Sequence, residues 1–224
     1  MRRKAITTID PLSPLDLGVP EDRATTAKGA LRVAEILQVA LEILAAEGQA
    51  GLTLEGGAQR VGIRKGNIQY YFPSRADLLR AALVEQIEAH RRQWSAVYDG
   101  LTGTPEARLR QLIAFETRIN RDKTFIAQVR ERWALEERDE EARRLTSRWY
   151  DWVTGVYATL IAEIRPDLGP RACRHLAIMM YAMLVGSASF FGPRRASPRW
   201  TKDLDKTMAE AIVTLVKTAP PGEG

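Results

Sequence analysis

Residues 53–79 read TLEGGAQRVGIRKGNIQYYFPSRADLL and contain the most informative local signals in this chain. Thr53 is suited to cap a short helix that runs to about Val61, because its hydroxyl can accept a hydrogen bond from the helix N-terminus. Gly62 predicts a sharp corner. A second short helix then covers about residues 64–72 and ends before a proline. Two short helices joined by a tight glycine corner are typical of a helix-turn-helix unit, whose second helix enters the major groove of DNA.

The charge of this segment also favours DNA as a partner. Between residues 58 and 80, five basic residues stand against one acidic residue, Asp77. The second helix carries lysine, asparagine and glutamine, which can hydrogen-bond base edges or phosphates. The alternative interpretation is a solvated basic face beside a packed Tyr-Tyr-Phe run, and in either case Ile68 and Phe72 are expected in the core. The basic residues are Arg60, Arg64, Lys65, Arg75 and Arg80.

The flanking sequence predicts an all-α fold. Upstream, apolar residues at helical spacing predict a helix from Lys28 that ends at Gly48. Downstream, Ser74 and Asp77 resemble a capping box that opens a long helix reaching about Tyr98. No segment shows the sustained alternation of a strand. Further helices are expected near residues 105–119, 122–138, 140–165, 170–190 and 204–218.

Composition narrows the classes of protein to which the chain can belong. The chain has 224 residues, a net charge of +5 and 45% apolar residues, which is ordinary for one or two globular domains. One cysteine and two histidines argue against a disulfide, a zinc or histidine-rich metal site, or a catalytic triad. No phosphate loop, nucleophile elbow or metal-ligand spacing occurs, and no apolar run has the length of about 20 residues needed to span a membrane. We therefore expect no enzyme activity, no cofactor, no metal, no membrane contact and a cytoplasmic location.

Gly62–Leu79 closely resembles the signature of the TetR family of bacterial transcriptional regulators. Residues 40–48, ALEILAAEG, and residues 52–54, LTL, resemble that family's first helix and the start of its second helix. The resemblance implies an N-terminal three-helix helix-turn-helix DNA-binding domain and a C-terminal helical ligand-binding and dimerisation domain. The expected divisions are a flexible N-terminal arm at 1–27, the DNA-binding domain at 28–75 and the effector-binding and dimerisation domain at 76–224.

The same resemblance implies a repressor that binds a palindromic operator on double-stranded DNA as a homodimer and is released by a small-molecule effector. A regulator without a small-molecule effector and a helical enzyme are the alternatives. Lys65 and Gly66 are expected to contact bases, whereas Thr53 and Arg75 are expected to contact phosphates. The other expected DNA contacts are Lys28, Arg32, Arg64, Asn67, Gln69, Tyr70 and Tyr71.

Three positions depart from the family pattern. Arg64 stands where a capping serine or threonine is usual, so the second short helix is expected to start differently or to gain a phosphate contact. Gln69 stands where tyrosine is usual. The pair Gly56 and Gly57 lies inside the first short helix, and each glycine there costs about 0.5–1 kcal/mol. This helix is therefore expected to be loosely held.

The helix near residues 170–190 is apolar on nearly every side and must be covered all round. Either it is the centre of a monomeric bundle, or it pairs with the helix near 204–218 and with both copies in a second subunit, as the family resemblance implies. The dimer is favoured because a palindromic site needs two recognition helices. The expected interface residues are Leu176, Met180, Met183, Leu184, Met208, Ala211, Ile212 and Leu215.

Aromatic residues concentrate in the middle of the chain. A pocket lined by tryptophan and tyrosine would suit a planar or cationic small molecule. The alternative is that the large rings fill a helical core. The expected pocket residues are Trp94, Tyr98, Trp133, Trp149, Trp152, Tyr157 and His175.

Overall fold

The computed structural model describes residues 26–191 and 198–221. These residues form helices joined by short loops and contain no strand, which confirms the predicted fold class. No helix among them is both long enough and apolar enough to cross a membrane. The predicted arm lies outside the described residues, apart from Thr26 and Ala27 at the start of the first helix. The helices are α1 (Ala27–Gly51), α2 (Leu54–Val61), α3 (Lys65–Tyr71), α4 (Arg75–Asp99), α5 (Pro105–Ile119), α6 (Lys123–Glu136), α7 (Glu140–Ile164), α8 (Pro170–Ser187), α9 (Pro198–Thr201) and α10 (Leu204–Thr218).

Local capping signals set the helix ends around the helix-turn-helix. Gly48 interrupts α1 with a φ of 69°. The Thr53 hydroxyl accepts a hydrogen bond from Gly56 N at 2.9 Å, and Gly62 ends α2 in the left-handed conformation with a φ of 75°. Ser74 N donates to Asp77 Oδ2 at 3.0 Å, which confirms the capping box at the start of α4. The predicted corner and caps are therefore present.

The described residues divide into two compact units. The helix-turn-helix unit contains residues 26–92 and 124–147, and the aromatic unit contains residues 93–123, 148–191 and 198–221. The predicted domain boundary at residue 75 falls at the start of α4 and stays a prediction. The core of the helix-turn-helix unit comprises Val33, Ile36, Leu37, Ala40, Leu41, Ile43, Leu44, Leu52, Ala58, Ile68, Phe72, Leu78, Leu79, Ala81 and Ala82.

In the aromatic unit, α5 packs against α8 and α10, and α8 also contacts α10. One side of α8 is buried by these contacts, whereas Ile178, Met179 and Met183 on its other side are exposed. The predicted dimer interface stays a prediction, and five of its side chains are buried within their own protomer, which leaves them little or no surface for a partner. These five are Leu176, Met180, Leu184, Met208 and Ile212. The other three remain available, since Met183 and Ala211 are exposed and Leu215 is partly exposed.

Candidate functional site

The helix α3 is held by two apolar side chains and shows its polar side chains to solvent. Ile68 and Phe72 are both 0% exposed, which confirms that they are core residues. On the outer side of α3, basic, amide and phenolic side chains are exposed to solvent. The exposed residues in this stretch are Arg64, Lys65, Gly66, Asn67, Gln69 and Tyr70, while Tyr71 is partly buried with its ring edge-on to that of Tyr70.

The close contact between α2 and α3 depends on Gly57. A Cβ built on this buried glycine would lie 3.1 Å from Ile68 Cδ1. The absence of a side chain at Gly57 therefore lets the two helices approach each other closely. This packing contact is a structural reason for a glycine at a position where it lowers helix propensity. Looseness of α2 stays a prediction.

Acidic residues of the helix-turn-helix unit partly balance the positive charge on the exposed surface of α2 and α3. Lys65 Nζ lies 3.1 Å from Glu55 Oε2, and Arg60 pairs with Glu47. Arg64 is the N-cap residue of α3, makes no side-chain capping bond and has no ion-pair partner within the described part of the chain. Because exposed ion pairs contribute only about 0–1 kcal/mol, phosphates can replace these carboxylates at little cost. The surface therefore remains suited to a polyanion.

Arg75 has a structural role that the sequence did not indicate. Its Nε donates to the carbonyl of Leu52 at 2.6 Å, and another guanidinium nitrogen donates to the carbonyl of Gln49. The side chain thereby ties the start of α4 to the end of α1. A phosphate contact by Arg75 stays a prediction, and these two bonds give the side chain a structural role as well.

The end of α1 is also bonded to α6. Gln49 N donates to Glu131 Oε2 at 2.9 Å, and Gln49 Nε2 donates to the carbonyl of Glu131 at 3.0 Å. Gly48 makes this approach possible, since a Cβ there would lie 3.1 Å from Glu131 Oε1. Beside this contact, a cavity of about 20 Å³ lies between α1, α4 and α6, room for roughly one water. A larger molecule does not fit there.

The aromatic unit gathers five of the seven predicted pocket residues. The Trp94 ring centroid is 5.2 Å from that of Trp152, 5.6 Å from that of Tyr157 and 5.6 Å from that of Tyr98. Trp149 joins the cluster at 5.3 Å from Trp152. The other two predicted pocket residues differ. Trp133 belongs to the helix-turn-helix unit, and His175 is exposed on α8 instead of lying among buried rings.

A buried carboxyl group, Glu116, lies within this cluster. It is 2% exposed and accepts a hydrogen bond from Trp94 Nε1 at 2.9 Å. Burial raises the pKa of Glu116 to about 7, and the neighbouring Trp94 N–H and Tyr157 hydroxyl oppose this rise. The Tyr157 hydroxyl itself meets no hydrogen-bond partner of good geometry within the described residues.

Sequence reasoning missed Glu116, although a signal existed. The residue follows Leu109 by seven positions and Leu112 by four, and both leucines are fully buried. Helical periodicity therefore places Glu116 on the apolar face of α5. A carboxyl on such a face is a site candidate, because charged groups are rarely buried without a partner.

Comparison with known proteins agrees with this geometry. Residues 36–82 match the model of a family described as bacterial regulatory proteins, tetR family. An uncharacterized HTH-type transcriptional regulator in the dhlA 5′ region of Xanthobacter autotrophicus is 29% identical over 156 residues, covering 67% of this chain and 72% of that protein.

Two solved structures share the fold. A proposed transcriptional regulator from Pseudomonas aeruginosa PAO1 superposes with a TM-score of 0.68 at 16% identity, covering 87% of this chain and 96% of the other. A second, from Saccharomonospora viridis in complex with choline, gives a TM-score of 0.68 at 18% identity, covering 87% and 100%.

An all-α chain with an anchored, solvent-facing recognition helix in a basic helix-turn-helix is a DNA-binding transcriptional regulator. The matched segment contains α2, α3 and most of the core that holds them. Residues 36–82 therefore carry the DNA-binding segment of the tetR family of bacterial regulatory proteins.

Proposed function

We propose that this regulator is a repressor that binds a palindromic operator as a homodimer and leaves it when a small-molecule effector binds. The observation that best supports the proposed mode of DNA binding is that one side of α3 is buried in the core and the other side is exposed. Ile68 and Phe72 fix its inner side in the core, while Lys65, Gly66 and Asn67 at its N-terminal end are exposed. In a helix-turn-helix, the N-terminal end of the recognition helix is the part that meets base edges.

The proposed contacts divide into two kinds. Lys65 donates to guanine O6 and N7, and Gly66 leaves room for the groove because no side chain intervenes. The Thr53 hydroxyl is already the acceptor for Gly56 N, so its own hydrogen is available to donate to a phosphate. Other contacts to the DNA backbone are proposed for Lys28, Arg32, Arg64, Gln69, Tyr70 and Tyr71.

The proposed dimer uses the exposed face of α8 together with α10. Ile178, Met179 and Met183 are 50%, 51% and 41% exposed, which is unusual for three large apolar side chains on one helix face. Met183, Ala211 and Leu215 are the members of the predicted interface that can still reach a second copy. An isologous interface of this kind places two recognition helices in two half-sites.

The effector is proposed to bind in the aromatic unit. Rings from α4 and α7 and a buried carboxyl from α5 form an apolar cluster with few polar groups, and this composition is the usual one for the lining of a small-molecule site. The relative from S. viridis was solved with choline, which supports a small molecule as the regulating signal here. A cytoplasmic location follows from this proposal, because the operator DNA lies inside the cell.

Selection from a random duplex library with the purified full chain tests the DNA-binding part. The expected product is a two-fold symmetric sequence whose half-sites are about 10 base pairs apart or a multiple of this. Fluorescence anisotropy on that duplex should show two protomers per site. Recovery of unrelated sequences with no symmetry would contradict the proposed operator, and one protomer per site would contradict the dimer.

A further inference from the structure

Glu116 is a titratable carboxyl group enclosed by aromatic rings. Trp94 Nε1 holds one of its oxygens at 2.9 Å, and the Trp94 ring lies edge-on to Tyr157 at 5.6 Å, with an interplanar angle of 90°. The Trp152 ring also stands edge-on to Trp94, with centroids 5.2 Å apart and an interplanar angle of 71°. Glu116 and Trp94 are almost completely buried, whereas Trp152 is partly exposed. The cluster therefore reaches from a buried carboxyl to the surface of its unit.

The cluster contains no positive charge to match this carboxyl. No lysine, arginine or histidine forms an ion pair with Glu116 in the described ranges 26–191 and 198–221. By contrast, Glu163, Glu106 and Glu210 in the same unit are each paired with an arginine at the surface. Burying a carboxylate without a cation is costly, so the pKa of Glu116 rises to about 7, and a bound cation would favour the ionised form of the carboxyl at neutral pH.

The Tyr157 hydroxyl is a second buried polar group of the cluster, and it faces the Glu116 carboxyl. The Tyr157 hydroxyl is buried on a residue that is 0% exposed, and no hydrogen bond of good geometry reaches it from the described residues. Tyr181 lies next to it, with ring centroids 6.2 Å apart, but the Tyr181 hydroxyl accepts a hydrogen bond from Trp149 Nε1 at 3.1 Å. A buried hydroxyl without a hydrogen bond of good geometry is uncommon in native structures, and a further bound molecule is one way to satisfy it.

We propose that this cluster binds an organic monocation, of the quaternary or tertiary ammonium class, with its charge against Glu116 and its alkyl groups on the faces of Trp94, Trp152 and Tyr157. A cation supplies the charge that the carboxyl lacks, and ring faces attract a cation that cannot donate strong hydrogen bonds. The inference rests on the proposed function only in making this cation the effector.

The chemistry of the cluster discriminates against the other ligand classes. An anion would meet a carboxyl and no basic group, and a divalent metal ion would find one carboxyl where it needs several oxygen ligands. A neutral apolar molecule would pack on the rings but would leave Glu116 unpaired. Binding also requires the rings to separate, because the centroids of Trp152 and Tyr157 lie only 5.2 and 5.6 Å from that of Trp94. Trp94 belongs to α4, the helix that starts at Arg75 directly after the recognition-helix segment.

The test compares a cation with a neutral molecule of similar shape on the full-length protein without DNA. Isothermal titration calorimetry and tryptophan fluorescence are measured with tetramethylammonium, tetraethylammonium and tert-butanol. The wild type should bind at least one ammonium ion and should bind tert-butanol at least about 30-fold more weakly, the ratio expected for a buried charge pair. Equal binding of tert-butanol, or no binding of either ammonium ion, would overturn the proposal.

Two variants locate the bound cation. Glu116→Gln keeps an oxygen for Trp94 Nε1 and removes the charge, so ammonium affinity should fall about 30-fold or more. Glu210→Gln is the matched control, because it makes the same change at an exposed position of the same unit and should leave ammonium affinity unchanged. Trp152→Leu, at the partly exposed edge, should weaken the ammonium ion several-fold and provides a second test if Glu116→Gln misfolds. Unchanged affinity in both Glu116→Gln and Trp152→Leu would place the cation elsewhere and overturn the site.

The same titrations separate this inference from the proposed function. If an ammonium ion binds in a Glu116-dependent way but the selected operator stays bound, the cation site is correct and the effector role is wrong. If no ammonium ion binds while the protein still binds a symmetric operator, the cation site is wrong and the DNA-binding proposal stands.

Discussion

The indole N–H of Trp94 donates a 2.9 Å hydrogen bond to Glu116, which comes from another helix, and both side chains are almost completely buried. Trp94 from α4 and Tyr157 from α7 are the polar groups that face this carboxyl. Burial is the main reason that its pKa rises from the ordinary 4.5 to about 7. The folded protein therefore keeps a proton on Glu116 over a pH range in which the unfolded chain has lost it.

This difference predicts a pH dependence of stability. Since the folded-state pKa of Glu116 is above the unfolded value, its contribution to the free energy of unfolding falls as pH rises from about 4.5 to about 7 and is constant above that. The total change is on the order of 3 kcal/mol. Glu116→Gln removes the titrating group. In urea unfolding, the stability of the variant relative to wild type should therefore increase as the pH is raised from 5 to 8.

His90 does not disturb this comparison. Burial, assisted by the charge of Arg132, lowers its pKa to about 3, so its contribution to stability falls with acidification in wild type and variant alike. The difference between the two proteins isolates Glu116. Unfolding free energies that stay parallel from pH 5 to pH 8 would show that Glu116 is charged in the folded protein.

Gly66 allows folding and DNA binding to be separated. A Cβ at this exposed position would meet no other atom within 4 Å, so Gly66→Ala should stabilise α3 by about 0.5–1 kcal/mol. In the complex, the added methyl group would lie where the helix approaches the groove, and affinity for the selected operator should fall. Thermal unfolding and anisotropy check the two effects, and a variant with raised stability and unchanged operator affinity would remove Gly66 from the DNA-facing surface.

The exposed face of α8 predicts the outcome of an assembly experiment. The double variant Met179→Glu/Met183→Glu places charge on the face assigned to the partner, and it should weaken dimerisation at least about 100-fold. Sedimentation velocity measures the dimer, and Thr159→Glu, at an exposed position of α7, is the matched control. A dimer that survives the double change would mean that the subunits meet through another surface.

The contact between Glu131 and Gln49 predicts a cost in stability. Glu131→Ala leaves the partly buried Gln49 N without its acceptor, and the free energy of unfolding should fall by about 1–3 kcal/mol. Glu137→Ala, at an exposed position just after α6, should have no measurable effect. Equal unfolding curves for both variants would show that water replaces the carboxylate without loss.

Sequence patterns predicted the helices well because their ends depend on neighbouring residues. Thr53, Gly62, Ser74 and Pro105 act within a few positions of themselves, and α5 and α10 have the predicted bounds. The sequence could not show which side of α8 faces its own protomer, because the helix is apolar on nearly every side. The structure supplies that direction through contacts with α5 and α10.

Polar contacts between residues far apart in the sequence also could not be predicted. Arg75 is drawn to the carbonyls of Gln49 and Leu52, and Glu116 is bonded to Trp94, which lies 22 residues earlier. Neither pairing leaves a local spacing in the sequence. Because Arg75 also supports α1, a substitution there would combine effects on folding and on DNA binding, so the exposed Lys28 in the first turn of α1 is the better probe of phosphate contact.

Lys65, at the start of α3, is proposed to contact a base directly. Competition binding of Lys65→Ala and Lys28→Ala tests this contact most directly. Both variants are titrated against all single-base variants of the selected operator at two salt concentrations. Lys65→Ala should lose about 1–3 kcal/mol of discrimination at one position in each half-site. Lys28→Ala should weaken every duplex in equal proportion and lower the salt slope by about one. Full wild-type base preference in Lys65→Ala would contradict the claim and leave the lysine as a phosphate contact.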